Sequence, residues 1–340
     1  MLTLFMREAL YYKKLSNKVV KCELCPWMCI IKPDKIGMCR VRKNMAGKLY
    51  SLIYARPCAV HVDPIEKKPF YHFMPGAKAF SIATIGCNFF CEFCQNWQIS
   101  KADANNIDNQ FEELKPEQVI KVCKENNCQI ISYTYTEPTI FYEYMLDIAK
   151  QAKKQGIKNT IVSNGYINEA PLRELCKVLD SANIDLKAFT NDFYQKVCKG
   201  KLEPVLKTLK ILKQEGVWLE ITNLIVPGQN DDFEKIEEMC KWIAKELGKD
   251  VPIHFSRFHP DYKMTDAKPT SVETLEKAKE IAEKYLDYVY LGNVGGETNT
   301  FCPKCRETVI KRSVFHASQN RIKRGKCPDC KQNIAGVWDT

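Results

Sequence analysis

"AFSIATIGCNFFCEFCQNWQIS", residues 79 to 100, decides how this chain is read. Its first eight residues form an apolar run that reads as a buried strand, and the strand empties into a loop carrying Cys87, Cys91 and Cys94. Cysteine thiolates ligate [4Fe–4S] clusters, which offer four iron corners. Three protein ligands leave one corner open, and an open position marks a metal that works on a substrate.

Working outward, strand-like and helix-like segments alternate to about residue 296. Helical patterns at 116–127, 139–156, in "EAPLRELCKVL", in "LEPVLKTLKILKQEG", at 231–248 and at 271–286 separate "QIISYTYT", "KNTIVS", "ANIDLKAF", "VWLEITNLIVPG", "VPIHFSRF" and "DYVYLGNV". About six such units follow the first strand. The pattern predicts an α/β protein with a parallel sheet, a partial or full (β/α) barrel over residues 79–296, whose chemistry collects at the C-terminal ends of the strands. Residues 1–78 and 297–340 lie outside the alternation as cysteine-rich appendages. The opening "MLTLFMREALYYKKLSNK" reads as a short amphipathic helix and not as a signal peptide.

Both appendages carry four cysteines. Cys302-x2-Cys305 and Cys327-x2-Cys330 form two knuckles similar to a zinc ribbon. Such a site closes a small module that has little core of its own. Cys22, Cys25, Cys29 and Cys39 fall within 18 residues and suit tetrahedral zinc or an auxiliary iron–sulfur cluster, with zinc preferred. The six remaining cysteines among the seventeen (Cys58, Cys123, Cys128, Cys176, Cys198, Cys240) read as small buried hydrophobes. His61 and His72 read as structural. No apolar stretch approaches 18 residues, so no transmembrane helix and a cytoplasmic protein are expected.

The spacing Cys87-x3-Cys91-x2-Cys94, with Phe93 before the last cysteine, resembles the radical S-adenosylmethionine (SAM) superfamily. That resemblance implies a [4Fe–4S] cluster whose free iron is chelated by SAM. Reductive cleavage then gives a 5′-deoxyadenosyl radical, which abstracts hydrogen from a protein or small-molecule substrate. "TYTEP" (134–138) stands where the family has a Gly-Gly-Glu segment, so Thr136 and Glu137 are candidate contacts of the SAM amino group. Tyr135 and Thr136 replace the two glycines. Ser163 and Asn164 follow the third strand, where related enzymes place polar groups facing SAM. "DLK" (185–187) is similar to a segment of the glycyl-radical-enzyme activases, which makes Asp185 and Lys187 candidates for the ribose and carboxylate. His259 in "FHPDY" is a further ribose candidate, and the loop Pro227–Asn230 a candidate substrate contact.

Over nearly its whole length the chain is similar to the radical SAM enzyme of the AmmeMemoRadiSam set, related to pyruvate formate-lyase activating enzymes. The stretches that carry this are "CELCPWMC", "GMCRVR", "DPIEKKPFYHFMPG", the cysteine loop and the final "GVW". The resemblance implies Memo-like and AMMECR-type partner proteins and an electron donor such as flavodoxin or ferredoxin.

Each SAM-contact candidate also has a plain structural reading. Glu137 is placed to cap the helix after it, and Asp185 and Lys187 share one side of a strand as a local ion pair. The formal charge of +10 concentrates between residues 302 and 327, where eight Lys/Arg face Glu307 alone. That stretch supports an alternative function, a metal-stabilised nucleic-acid-binding protein, but only Phe315 offers a stacking platform within it. This alternative leaves the three-cysteine loop unexplained.

Overall fold

The computed structural model describes residues 6–104 and 111–338. Seven parallel strands follow one another in sheet order: Lys78–Ala83, Ile130–Tyr133, Lys158–Ser163, Ser181–Asp185, Trp218–Ile225, Ile253–Arg257 and Val289–Gly292. Six helices make the crossovers: Pro116–Glu125, Tyr142–Lys154, Glu169–Cys176, Leu202–Gln214, Phe233–Glu246 and Val272–Ala282. Parallel strands need such crossovers, and strands covered on both faces read as apolar runs, which is why the alternation was visible in the sequence. Local chemistry sets the helix starts. Asp232 accepts the Glu234 and Lys235 amides, Ser271 accepts the Thr274 amide, and Pro116 opens its helix where no amide partner is needed.

The sheet does not close. Its eighth strand, Ala59–Pro64, pairs antiparallel with Lys78–Ala83 at one edge, and Val289–Gly292 forms the other. The architecture is therefore a partial barrel. The edge strand lies in the segment read as lead-in to the barrel.

The chain after that edge strand fills the end of the barrel away from the cysteine loop. Phe70, Phe73, Met74 and Ala77 pack with Ala79 and Ile130 of the sheet. The Tyr71 and His72 amides both donate to Glu220, which also pairs with His254 at 2.7 Å. A buried carboxylate without such partners would cost several kcal/mol, roughly. Here two amides and an imidazole satisfy it.

The C-terminal ribbon is a three-stranded antiparallel sheet, Thr300–Phe301, Thr308–Ser313 and His316–Asn320. It docks under the barrel through His72, whose ring nitrogens lie 2.6 Å from Ala335 O and from Tyr290 Oη. Arg312 is buried and donates to Thr300 Oγ1 and to the Tyr71 carbonyl, while Arg321 forks onto Asp329. Two of the eight basic residues of the tail thus serve the fold itself.

At the N-terminus, the expected amphipathic helix is not formed. Residues 1–5 of that stretch lie outside the described residues. From there the chain runs as short strands, Arg7–Glu8 against Lys48–Ser51 and Tyr12–Lys14 against Val20–Cys22. Apolar spacing alone did not separate the two outcomes. Tyr11 turns with φ +56°, which breaks any helix there, and its ring packs edge-on against Tyr142. Arg42 and Glu143, both buried, pair at 2.6 Å and tie this module to the barrel.

Candidate metal and cofactor site at the barrel mouth

Strand Lys78–Ala83 ends at Ala83, and the chain turns at Gly86 with φ +95°. A Cβ there would meet Val41 Cγ1 at 2.7 Å and Cys39 O at 3.0 Å, so only glycine fits the turn against the N-terminal module. The loop that follows is anchored at several points. Asn88 donates to Tyr166 O and accepts from Asn164 Nδ2, both at 2.8 Å. The Phe90 and Glu92 amides donate to Cys198 O and Val197 O, and Lys101 Nζ donates to Phe89 O. Phe89 packs against Tyr166 and against Gly200, where a Cβ would stand 2.4 Å from its ring.

Cys87, Cys91 and Cys94 all line one cavity of about 210 Å³ over the C-terminal ends of the strands. Thr136, Asn164, Asp185 and Lys187 line the same cavity. Sequence positions 87 to 187 are brought together because parallel strands present their C-terminal ends on one side. A larger cavity of about 510 Å³ lies between the last strand and the ribbon. It contains no cysteine, and the donor chemistry places the site in the smaller one.

Two candidates sit behind the cavity wall. Glu137 is fully buried and accepts from the Thr139 amide, Ser163 Oγ and the Asn164 amide at 2.8 to 3.0 Å. It caps the short helix Pro138–Phe141 and holds Asn164 in place. Burial raises its pKa, against those hydrogen bonds. Ser163 points at Glu137 and accepts the Gly165 amide. His259 is exposed at the rim, outside the cavity lining, with Nδ1 3.0 Å from Gln95 Nε2.

Charge in the cavity is arranged around the thiols. Burial works against the Lys187 ammonium, yet Asp185 at 2.9 Å and the nearby Cys91 and Cys198 hold its pKa well above the ordinary value. A hydrogen bond from Cys198, against burial and with help from Lys187 and Lys101, lowers Cys91 to about 7. Cys87 is pushed up by burial and by Glu137. Asn164 Nδ2 lies 3.8 Å and the Phe89 amide 3.3 Å from Cys87 Sγ, so donors already face that sulfur.

Several lining residues were not singled out from the sequence: Gln95, Asn96, Ser100, Lys101, Thr222 and Ser256. The first three belong to the quoted stretch, and Lys101 follows it directly. Thr222 and Ser256 share an inward face with Glu220 and His254 by strand alternation, a signal that exists only once the strands are assigned. Cys198, read as a plain buried hydrophobe, lies against Cys91.

The C-terminal thiols are organised differently. All four lie within 4.8 Å of one another, with Cys302 and Cys330 at 3.5 Å and Cys305 and Cys327 at 3.7 Å. Four thiolates about 2.3 Å from one tetrahedral zinc stand about 3.8 Å apart, so the geometry fits a closed zinc site.

A profile described as the Radical SAM superfamily matches residues 81–243, from the first parallel strand into the helix Phe233–Glu246. An uncharacterized protein of Methanocaldococcus jannaschii is 46% identical over 334 residues, covering 97% of this chain and 99% of that one. The pyruvate formate-lyase 1-activating enzyme of Escherichia coli is 22% identical over 59% of this chain and 86% of its own. The pyruvate formate-lyase-activating enzyme of Clostridium pasteurianum is 27% identical over 59% and 87%. Among solved structures, a radical SAM methyltransferase from Sphaerobacter thermophilus shares the fold with TM-score 0.50 at 13% identity, over 65% of this chain and 68% of that one. The open parallel barrel, the three cysteines at its mouth and these likenesses agree: the chain carries a radical SAM superfamily domain over residues 81–243.

Proposed function

We propose that this radical SAM enzyme cleaves SAM reductively and acts on its substrate in the manner of the glycyl-radical-enzyme activases. Membership of the superfamily implies a [4Fe–4S] cluster and SAM. The donor set fits that pair, since Cys87, Cys91 and Cys94 face one cavity and no fourth cysteine joins its lining. When bound, the cluster supplies the electron that splits SAM into methionine and a 5′-deoxyadenosyl radical able to take a hydrogen atom from the substrate. The protein's own residues do the positioning. Lys187 and Asp185 offer a fixed cation and a carboxylate at the cavity floor, suited to a carboxylate and to ribose hydroxyls respectively. Thr136 and Asn164 offer neutral hydrogen-bonding groups beside them, and Glu137 orders Asn164 from behind.

The observation that carries the reading is the convergence of the three thiols with Asn164, Asp185 and Lys187 on one cavity. Room for a substrate lies next to it. A second cavity of about 180 Å³ shares Asn96, Tyr135, Thr136 and Asp185 with the first and continues past Lys67, Lys68 and Val162. The relatives named as activating enzymes support hydrogen abstraction from a protein glycine, and a small-molecule substrate is the other arm of the proposal. A flavodoxin or ferredoxin is the proposed electron donor, and Memo-like and AMMECR-type proteins are the proposed partners. SAM added to the reduced, cluster-loaded protein should change the cluster's electron paramagnetic resonance. An unchanged spectrum at saturating SAM would contradict SAM ligation at the open iron.

A further inference from the structure

The group Cys22, Cys25, Cys29 and Cys39 differs from the ribbon in the spacing of its thiols. Its four cysteines line one pocket with apolar neighbours such as Leu24, Ile31 and Ile140. Yet among the described residues only the ribbon cysteines gather their sulfurs within 4.8 Å. The thiols of Cys87, Cys91 and Cys94 are likewise not gathered. Zinc draws four sulfurs to one ion, about 3.8 Å apart, whereas a cubane takes each cysteine on a different iron and leaves the sulfurs further apart.

Arg42 supplies an independent observation. It lines the same pocket, and its residue is 1% exposed. Its Nη2 is held by Glu143 and its Nη1 faces Leu10 O at 3.4 Å, but its buried Nε has no hydrogen-bond partner. Leaving such a donor unpaired costs roughly 1–3 kcal/mol, more for a charged group. An anionic cluster with sulfide acceptors would satisfy it and offset its own charge. A Cβ at Gly37 would meet Ile31 Cδ1 at 3.2 Å, so the glycine lets the chain pack closely against the apolar wall of this pocket.

We propose that Cys22, Cys25, Cys29 and Cys39 hold a second, fully ligated [4Fe–4S] cluster, with Arg42 Nε donating to it. This module is built directly against the loop of the first site. Trp27, between Cys25 and Cys29, donates its indole N–H to Asn88 O at 2.7 Å, one residue from Cys87. Arg40, beside Cys39, donates to Lys101 O and lies over the Phe90 ring, one residue from Cys91. The second cluster therefore serves as a one-electron carrier, oxidised as it passes an electron toward the first site and re-reduced by an external one-electron donor protein. With four protein ligands it has no corner for substrate.

Metal counting on the intact chain, expressed with iron and zinc and purified without oxygen, tests this directly. The expected content is about eight iron and one zinc per chain. About four iron, with one zinc or two, overturns it. A variant lacking Cys87, Cys91 and Cys94 separates the second cluster from the radical chemistry. It should keep about four iron and show a half-integer-spin signal after dithionite. Absence of iron in that variant, with wild-type content at four, overturns the second cluster and leaves the first reading standing.

Discussion

Lys187 Nζ lies 2.9 Å from Asp185 Oδ2 on the floor of the cavity that Cys87, Cys91 and Cys94 line, and the Lys187 side chain is 13% exposed. Two residues apart at a strand end, they were legible as a local ion pair and as ligand contacts. The ion pair is formed, and it lies on the cavity surface. Replacing Asp185 by Asn, or Lys187 by Met, removes one charge-assisted hydrogen bond, worth roughly 1.5–3 kcal/mol. SAM affinity should fall about 10- to 100-fold, with iron content unchanged. Equal affinity in either variant, measured by equilibrium binding under anaerobic conditions, would remove both from the SAM site.

Glu137 separates positioning from contact. Glu137→Gln keeps the shape and an acceptor for the Ser163 hydroxyl, but it places an amide beside donors it cannot accept from as fully. The expected result is a modest loss of SAM affinity, about threefold to tenfold, together with a lower melting temperature. An affinity loss as large as that of Asp185→Asn, at unchanged melting temperature, would make Glu137 a direct contact.

Gly86 joins the two cysteine modules. Gly86→Ala sets a Cβ 2.7 Å from Val41 at φ +95°, and either fault costs roughly 1 kcal/mol or more. Melting should drop by several degrees and iron should be retained less well through purification. Full iron and unchanged melting would show that the loop and the N-terminal module are not rigidly joined.

His72 makes the docked ribbon sensitive to acid. Burial lowers its pKa to about 4, with Glu220 and the Ala335 carbonyl pulling the other way. A base whose folded pKa is depressed contributes stability above its unfolded value, near 6.5, and that stability is lost as pH falls toward the folded value. Between pH 6.5 and 5 the loss is about 2 kcal/mol, at roughly 1.4 kcal/mol per pH unit. Proteolysis of the segment around Ala335 should accelerate across that window in the wild type. In His72→Gln it should be faster at pH 7 and nearly flat with pH. The same acid response in both proteins would assign it elsewhere.

The parallel barrel was legible because each strand is sheathed by helices and each helix carries one apolar face; the strand Lys158–Ser163 falls where "KNTIVS" placed it. Ala59–Pro64 was not, because an exposed edge strand with valines, a histidine, an aspartate and a terminal proline lacks the apolar run of an interior strand. The three-cysteine loop announced itself through local spacing. Cys198 and Thr222 did not, since only the closure of the fold brings them near Cys91 and Asp185. Arg312 reads as one more surface charge until the ribbon folds around it. Arg42 likewise shows its buried partner, Glu143, only across 101 positions of sequence.

In the proposed function the three-cysteine loop generates a radical from SAM. Reduced, cluster-loaded protein incubated with SAM without oxygen should release 5′-deoxyadenosine and methionine in equal amounts, and Cys91→Ala should release neither. Undiminished release from Cys91→Ala, or none from wild type with its iron in place, would contradict the account.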